Sequence, residues 1–201
     1  MINSDKIILD LCGGTGAWSR PYKEAGYDVR LVTLPEYDVR TYVPPSDVYG
    51  ILAAPPCTMF SFARTNAKKP RSLEEGMALV VACLNIIWSC QYRIKKDTQK
   101  LSPLKFWALE NPKAMLRWFL GDPAFMFSPY EFGDNYKKKT ALWGYFNAPK
   151  KNQKINPESL PKFDRLKTKE IHGEYYGKLT RTERRAITPS GFAKAFFEAN
   201  Q

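Results

Sequence analysis

Short apolar runs alternate with segments of helical period along the first half of the chain. Residues 6–11, KIILDL, form an apolar run that stops at a glycine turn, and the segment AWSRPYKEAGY predicts a helix ended by Gly26. DVRLVTL and VYGILAA predict a second and a third strand. Ser72-Leu73-Glu74-Glu75 has the spacing of a capping box and opens a long apolar helix, GMALVVACLNIIWSCQYRIKK. KFWALE predicts a further strand, after which Asn111 ahead of Pro112 predicts the cap of another helix. This alternation predicts an α/β fold with a mostly parallel sheet and helices on both faces. Such sheets take ligands at the carboxyl ends of their strands.

After residue 121 the pattern changes. YEFG and TALWGYF predict two strands close in sequence, which suits an antiparallel edge on the parallel sheet. Residues 148–187 are polar, basic and proline-rich with little periodicity, and predict a long surface excursion. TPSGFAKAFFEAN predicts a last amphipathic helix, capped by Thr188 or Ser190. No internal repeat is visible, and 201 residues suit one domain with a substantial core.

Charge and cysteine content narrow the classes. Lysine and arginine number 31 against 20 acidic residues, a net charge of +11 that favours a polyanionic partner. Much of the excess lies in the second half, interleaved with aromatics such as Tyr136, Trp143 and Tyr175. Cys12, Cys57, Cys83 and Cys90 show no zinc spacing, and His172 is the only histidine, so neither a metal site nor a disulfide framework is expected. The opening MINSDKIILD lacks signal-peptide design and no apolar run of transmembrane length is read. These features predict a cytoplasmic protein with no membrane segment.

Two segments carry candidate chemistry. The first is the turn Asp10-Leu11-Cys12-Gly13-Gly14-Thr15-Gly16, where glycines between a first strand and a first helix let the backbone approach a ligand closely. Its spacing is not GxGxxG, and no P-loop lysine follows. It suits S-adenosylmethionine, whose amino-acid end and ribose need backbone contact and whose sulfonium is positive. Asp38 is a candidate for the adenine amino group, and Glu36, after the second strand, for the ribose hydroxyls.

The second segment is ILAAPPCTMFSF, residues 51–62. Prolines restrict the backbone, so a strand ending in Pro55-Pro56 delivers Cys57 in a held position, with Pro55 bordering the cofactor side. Methyl transfer to an exocyclic amine needs an orienting amide or carboxylate ahead of the prolines, and this turn has none. Carbon 5 of cytosine is nucleophilic only after something adds to carbon 6, and a thiolate does so. A carboxyl group on ring nitrogen 3 favours that addition, and Glu110, at the end of FWALE, is the candidate.

With these motifs in order, the chain resembles the cytosine-5 DNA methyltransferases. DLCGGTGAW is similar to the family's cofactor turn, APPCTMFS to its nucleophile loop and ALENP to its Glu-Asn motif. YKKKTALWG stands in the place of its basic motif and TPSGFAKAFFEAN in that of its closing motif. The resemblance implies a Rossmann-like, S-adenosylmethionine-dependent methyltransferase fold, Cys57 as the attacking thiol, Glu110 on nitrogen 3, Asn111 as its structural partner and Lys139 as the basic group at the base or phosphate. Lysines replace the usual Gln and Arg, Pro112 the usual valine, and Leu11 or Cys12 the usual aromatic beside adenine. The family's target-recognition domain has only the forty or so residues of the excursion to occupy, which is too few.

The resemblance is therefore to compact forms such as those of bacteriophages, acting on single-stranded DNA or on a flipped-out cytosine. Cytosine-5 methylation of RNA such as transfer RNA would use the same residues. A non-catalytic module binding S-adenosylmethionine and nucleic acid would need neither the thiol nor the carboxyl.

Overall fold

The computed structural model describes residues 2–64, 67–91, 104–152, 156–167, 169 and 172–201. Six strands form one sheet: β1 (Ile7–Leu11), β2 (Asp28–Val32), β3 (Val48–Ala53), β4 (Phe106–Pro112), β5 (Phe125–Phe127) and β6 (Thr140–Tyr145). Their order is β2-β1-β3-β4-β6-β5. β1 pairs in parallel with both β2 and β3, and β3 in parallel with β4. β6 runs antiparallel to β4 on one side and to β5 on the other. The expected α/β class, mostly parallel sheet and antiparallel edge are all present.

Alternation along buried strands sorts side chains to the two faces. Leu9, Leu11, Ile51, Ala53 and Leu109 pack on one face with Val80, Cys83 and Ile87 of α2 (Leu73–Gln91). Ile8, Leu52, Phe106 and Ala108 pack on the other, against Trp18, Tyr22 of α1 (Arg20–Glu24) and Phe192 and Phe196 of α5 (Ser190–Ala199). That second layer is rich in rings, with Phe127 stacked on Phe192 at 3.9 Å and Trp18 edge-on to Phe196 at 5.4 Å. Aromatic side chains bury more apolar area than any others, so this layer fixes the short α1 and the terminal helix to the sheet.

Several local expectations are corrected. YEFG is a 3-10 turn, Pro129–Phe132, because Ser128 and Glu131 cap it reciprocally; the edge strand is the shorter FMF before it. Asn111 is not a helix cap, since β4 runs through Pro112 and the next helix, α3 (Arg117–Leu120), starts later. Only Arg20–Glu24 of the first predicted helix is α-helical. Neither Thr188 nor Ser190 caps α5, whose cap position is Pro189. The excursion contains a helix, α4 (Arg181–Ala186), closed by a Thr180–Glu183 capping box.

The Ser72 hydroxyl does cap α2, accepting from the Glu75 N–H at 3.2 Å, while the Glu75 carboxylate pairs with Lys69 instead of reaching back. The predicted continuation of that helix over 92–96 lies outside the described residues. α2 has the length and hydropathy of a membrane span, contrary to the sequence reading, yet its inner face is in the core.

α5 meets the 129–132 turn at Gly191, where an added Cβ would stand 2.0 Å from the Phe132 carbonyl oxygen. Backbone cannot yield there as a flexible side chain would. Gly191→Ala is expected to lower unfolding free energy by about 1–3 kcal/mol, read from urea midpoints with circular dichroism.

Candidate active site

β1 is flanked by β2 on one side and β3 on the other, so the strand order reverses between β1 and β3. At the carboxyl ends of these strands lie the glycine turn and the Pro-Pro-Cys turn. An open crevice at such a reversal is where α/β sheets hold ligands.

Asp10 is fully buried and, by alternation, faces the α1/α5 layer. Its Oδ2 accepts from the Ser19 hydroxyl at 2.6 Å, and its Oδ1 has no hydrogen-bond partner among the described residues. Burial raises its pKa to about 6, partly opposed by the bonds from Ser19. Gly13 lies directly over it: a Cβ there would meet the Asp10 carboxyl carbon at 2.4 Å. Leu11 is buried in the α2 layer. Cys12 turns the chain with a positive φ of 56°, and its N–H donates to the Val32 carbonyl at 2.8 Å. Gly14 and Thr15 are exposed, and nothing stands within 4 Å of a Cβ at Gly14.

The unpartnered Asp10 oxygen thus lies under Gly13, and the open, exposed backbone at Gly14 and Thr15 is the part of the turn with room for a small polar cofactor such as S-adenosylmethionine. Glu36 is exposed. Asp38 lies close enough to Cys12 for their charges to interact, and its carboxylate is held by Arg40 at 2.5 and 2.9 Å, which lowers its pKa to about 2.

The second cluster is at the ends of β3 and β4. Register places Ala53 beside Leu109, so the Pro-Pro-Cys turn leaves β3 alongside Glu110 and Asn111, which continue in β4 paired with β6. Asn111 is fully buried and its Nδ2 donates to the Pro55 carbonyl at 2.9 Å, tying the two segments together. Cys57 is half-buried, and its carbonyl accepts the N–H groups of Phe60 and Ser61, each at 2.9 Å. That tight turn fixes the residue carrying the thiol.

Burial pushes the Cys57 thiol pKa up and Glu110 pushes it further, while Lys138 and Arg185 pull it down. Glu110 is raised by burial and lowered by Lys138. A thiol, a carboxyl group and two cations thus share one electrostatic neighbourhood. The arrangement can hold a proton on the carboxyl group while cations support the thiolate.

The cation facing the pair is Lys138, not Lys139. Lys139 is exposed, and what the fold uses of it is the carbonyl that accepts from the Lys113 N–H at 2.9 Å. Lys138 is half-buried, donates to the Arg185 carbonyl at 3.2 Å and lies 5.4 Å from the centre of the Phe163 ring. Arg185 lies over the same ring at 5.1 Å. Sequence reasoning missed both partners. Alternation would have found Lys138, because it shares a parity with Leu142, the residue paired to Glu110.

A groove of about 670 Å³ runs between α1, α5 and the 172–175 turn, and a smaller hollow lies between Tyr136, Phe163 and His172. Neither is lined by Cys57, Glu110 or the glycine turn. The titratable cluster decides the site here, since depth alone identifies no chemistry. Among the described residues no group of metal-ligating side chains comes together.

The chain matches no protein-family model, and a search of curated proteins finds no match to it either. The class established is an α/β protein with a mixed six-stranded sheet.

Lys138 lowers the Cys57 pKa, so removing its charge leaves less thiolate at any given pH. Lys138→Gln is expected to shift the pH profile of Cys57 alkylation by iodoacetamide upward and to slow it several-fold at neutral pH. Lys139→Gln should leave it in place, with the Cys57 peptide followed by mass spectrometry.

Proposed function

We propose that this protein has a Rossmann-like methyltransferase fold and transfers a methyl group from S-adenosylmethionine to carbon 5 of cytosine in DNA through a covalent adduct on Cys57. The observation that carries this reading is the joining of the Pro-Pro-Cys turn to the Glu110-Asn111 segment by the Asn111–Pro55 hydrogen bond, with Lys138 beside both acids. Methylation of a heteroatom would need neither the thiol nor a carboxyl group in those places.

The Cys57 thiolate adds to carbon 6 of the target cytosine. Glu110, whose raised pKa keeps its proton available, gives that proton to ring nitrogen 3 and so draws electrons out of the ring during addition. Bound S-adenosylmethionine supplies the electrophilic methyl group that carbon 5 then takes. Water takes the proton from carbon 5, Cys57 leaves carbon 6 as the thiolate, and the proton on nitrogen 3 returns to Glu110, which restores the aromatic ring and both side chains.

Lys138 and Arg185 favour the thiolate and offer positive charge to the substrate backbone. Asn111 is a positioning residue, acting through the carbonyl of Pro55. Residues 12–16 and Asp10 would hold the cofactor, with Asp38 near its adenine end and Glu36 at the exposed margin. A cytoplasmic location is part of the same reading.

The test is transfer of a labelled methyl group to duplex DNA, single-stranded DNA, transfer RNA and free cytidine nucleotides. Label on carbon 5 of DNA cytosine is expected, lost with Cys57→Ala and reduced at least about a hundredfold with Glu110→Gln, the scale of a general acid. Label that survives in Cys57→Ala, or that falls on another atom, contradicts the reading.

A further inference from the structure

We propose that Phe62 and Trp118 form a stacking platform beside the nucleophile turn that receives the bases of single-stranded DNA, an inference that rests on the methyltransferase reading above. Phe62 is 58% exposed and Trp118 61% exposed, unusual for side chains of this size. Their ring centroids are 6.1 Å apart with planes at 58°, so the rings touch obliquely and most of each stays open to solvent. Phe119, next to Trp118 in α3 and also exposed, leans on the buried Phe60 ring at 6.4 Å.

The platform is fixed to the chemistry. Phe62 directly follows the turn in which the Cys57 carbonyl accepts from Phe60 and Ser61. Arg71 donates to the carbonyls of Met59 and, at 3.1 Å, Ser61. The Met115 N–H donates to the Phe60 carbonyl at 3.2 Å, which brings the segment leading into α3 against the same turn. Both rings are therefore held relative to the thiol by backbone hydrogen bonds.

Charge identifies the occupant. Residues 57–75 and 113–120 carry Arg64, Lys68, Lys69, Arg71, Lys113 and Arg117 against only Glu74 and Glu75. Lys69 pairs with Glu75, which leaves the two segments with a net positive charge, and exposed rings on positively charged segments match a polyanion whose bases offer flat faces. Bases inside a duplex are already stacked on each other and present no such face. Stacking on Phe62 and Trp118 therefore selects unpaired strands, and supplies contacts that a chain without a recognition domain otherwise lacks.

The test is fluorescence anisotropy of labelled oligonucleotides with Cys57→Ala protein, so that binding is read whether or not methyl transfer occurs. Single-stranded DNA is expected to bind at least about tenfold more tightly than a hairpin-closed duplex of the same sequence. Phe62→Ala and Trp118→Ala should each weaken it about tenfold, with circular dichroism unchanged. Trp88→Ala, an exposed tryptophan far along α2, should have no effect. Equal or tighter binding of the duplex, or single-strand affinity indifferent to both substitutions, would overturn the proposal. Absence of methyl transfer by the wild-type protein, with this binding pattern intact, would instead count against the reaction alone.

Discussion

A buried amide joins the two halves of the candidate site. Asn111 leaves the end of β4 with its side chain enclosed, and its one hydrogen bond to the Pro55 carbonyl sets the path of the chain into Cys57. Breaking it would leave the Asn111 amide nitrogen and the Pro55 carbonyl without this partner in a buried setting, a loss of about 1–3 kcal/mol. The parallel register of β3 and β4 makes the bond possible, because it brings Ala53 level with Leu109 and so sets the turn after β3 beside the last residues of β4. This contact ties the turn carrying Cys57 to the strand carrying Glu110, while Lys138 and Arg185 are joined to each other by the Lys138 bond to the Arg185 carbonyl.

The other end of the crevice has a similar logic with a different chemistry. Asp10 is kept beneath the glycine turn by Ser19, and burial makes its carboxylate costly enough to lift its pKa to about 6. That charge favours a turn rich in N–H groups above it, and Gly13 is the residue that can lie so close. The aromatic layer of Trp18, Tyr22, Phe192 and Phe196 then anchors the segment after the turn to the terminal helix. The closing segment thus bears on the cofactor side without touching the thiol.

Much of this was legible in the sequence because buried parallel strands read as short apolar runs bounded by turn residues. KIILDL, VYGILAA and FWALE fall on β1, β3 and β4, and their ends carry the residues singled out for chemistry. What failed was local detail that depends on partners. A three-residue edge strand, Phe125–Phe127, is too short for any period, and YEFG looks extended until Ser128 and Glu131 close it into a turn. Motif position points to Lys139, and the strand parity that continues from Leu142 through Thr140 adds Lys138, whose charge acts on Cys57 and Glu110. Arg185 comes from a helix whose Thr180–Glu183 signature was overlooked in a basic, proline-rich stretch, and its proximity to Cys57 is a long-range fact of the fold.

The central claim is that Cys57 forms a bond to the base. An oligonucleotide carrying 5-fluoro-2′-deoxycytidine offers carbon 6 to the thiolate and accepts a methyl group at carbon 5, but it cannot release fluorine as a proton is released. With S-adenosylmethionine present, the account predicts a stable protein–DNA adduct whose mass maps to the peptide containing Cys57. An adduct on Cys12, Cys83 or Cys90, or methyl transfer to ordinary cytosine with no adduct formed on the fluorinated strand, would contradict it.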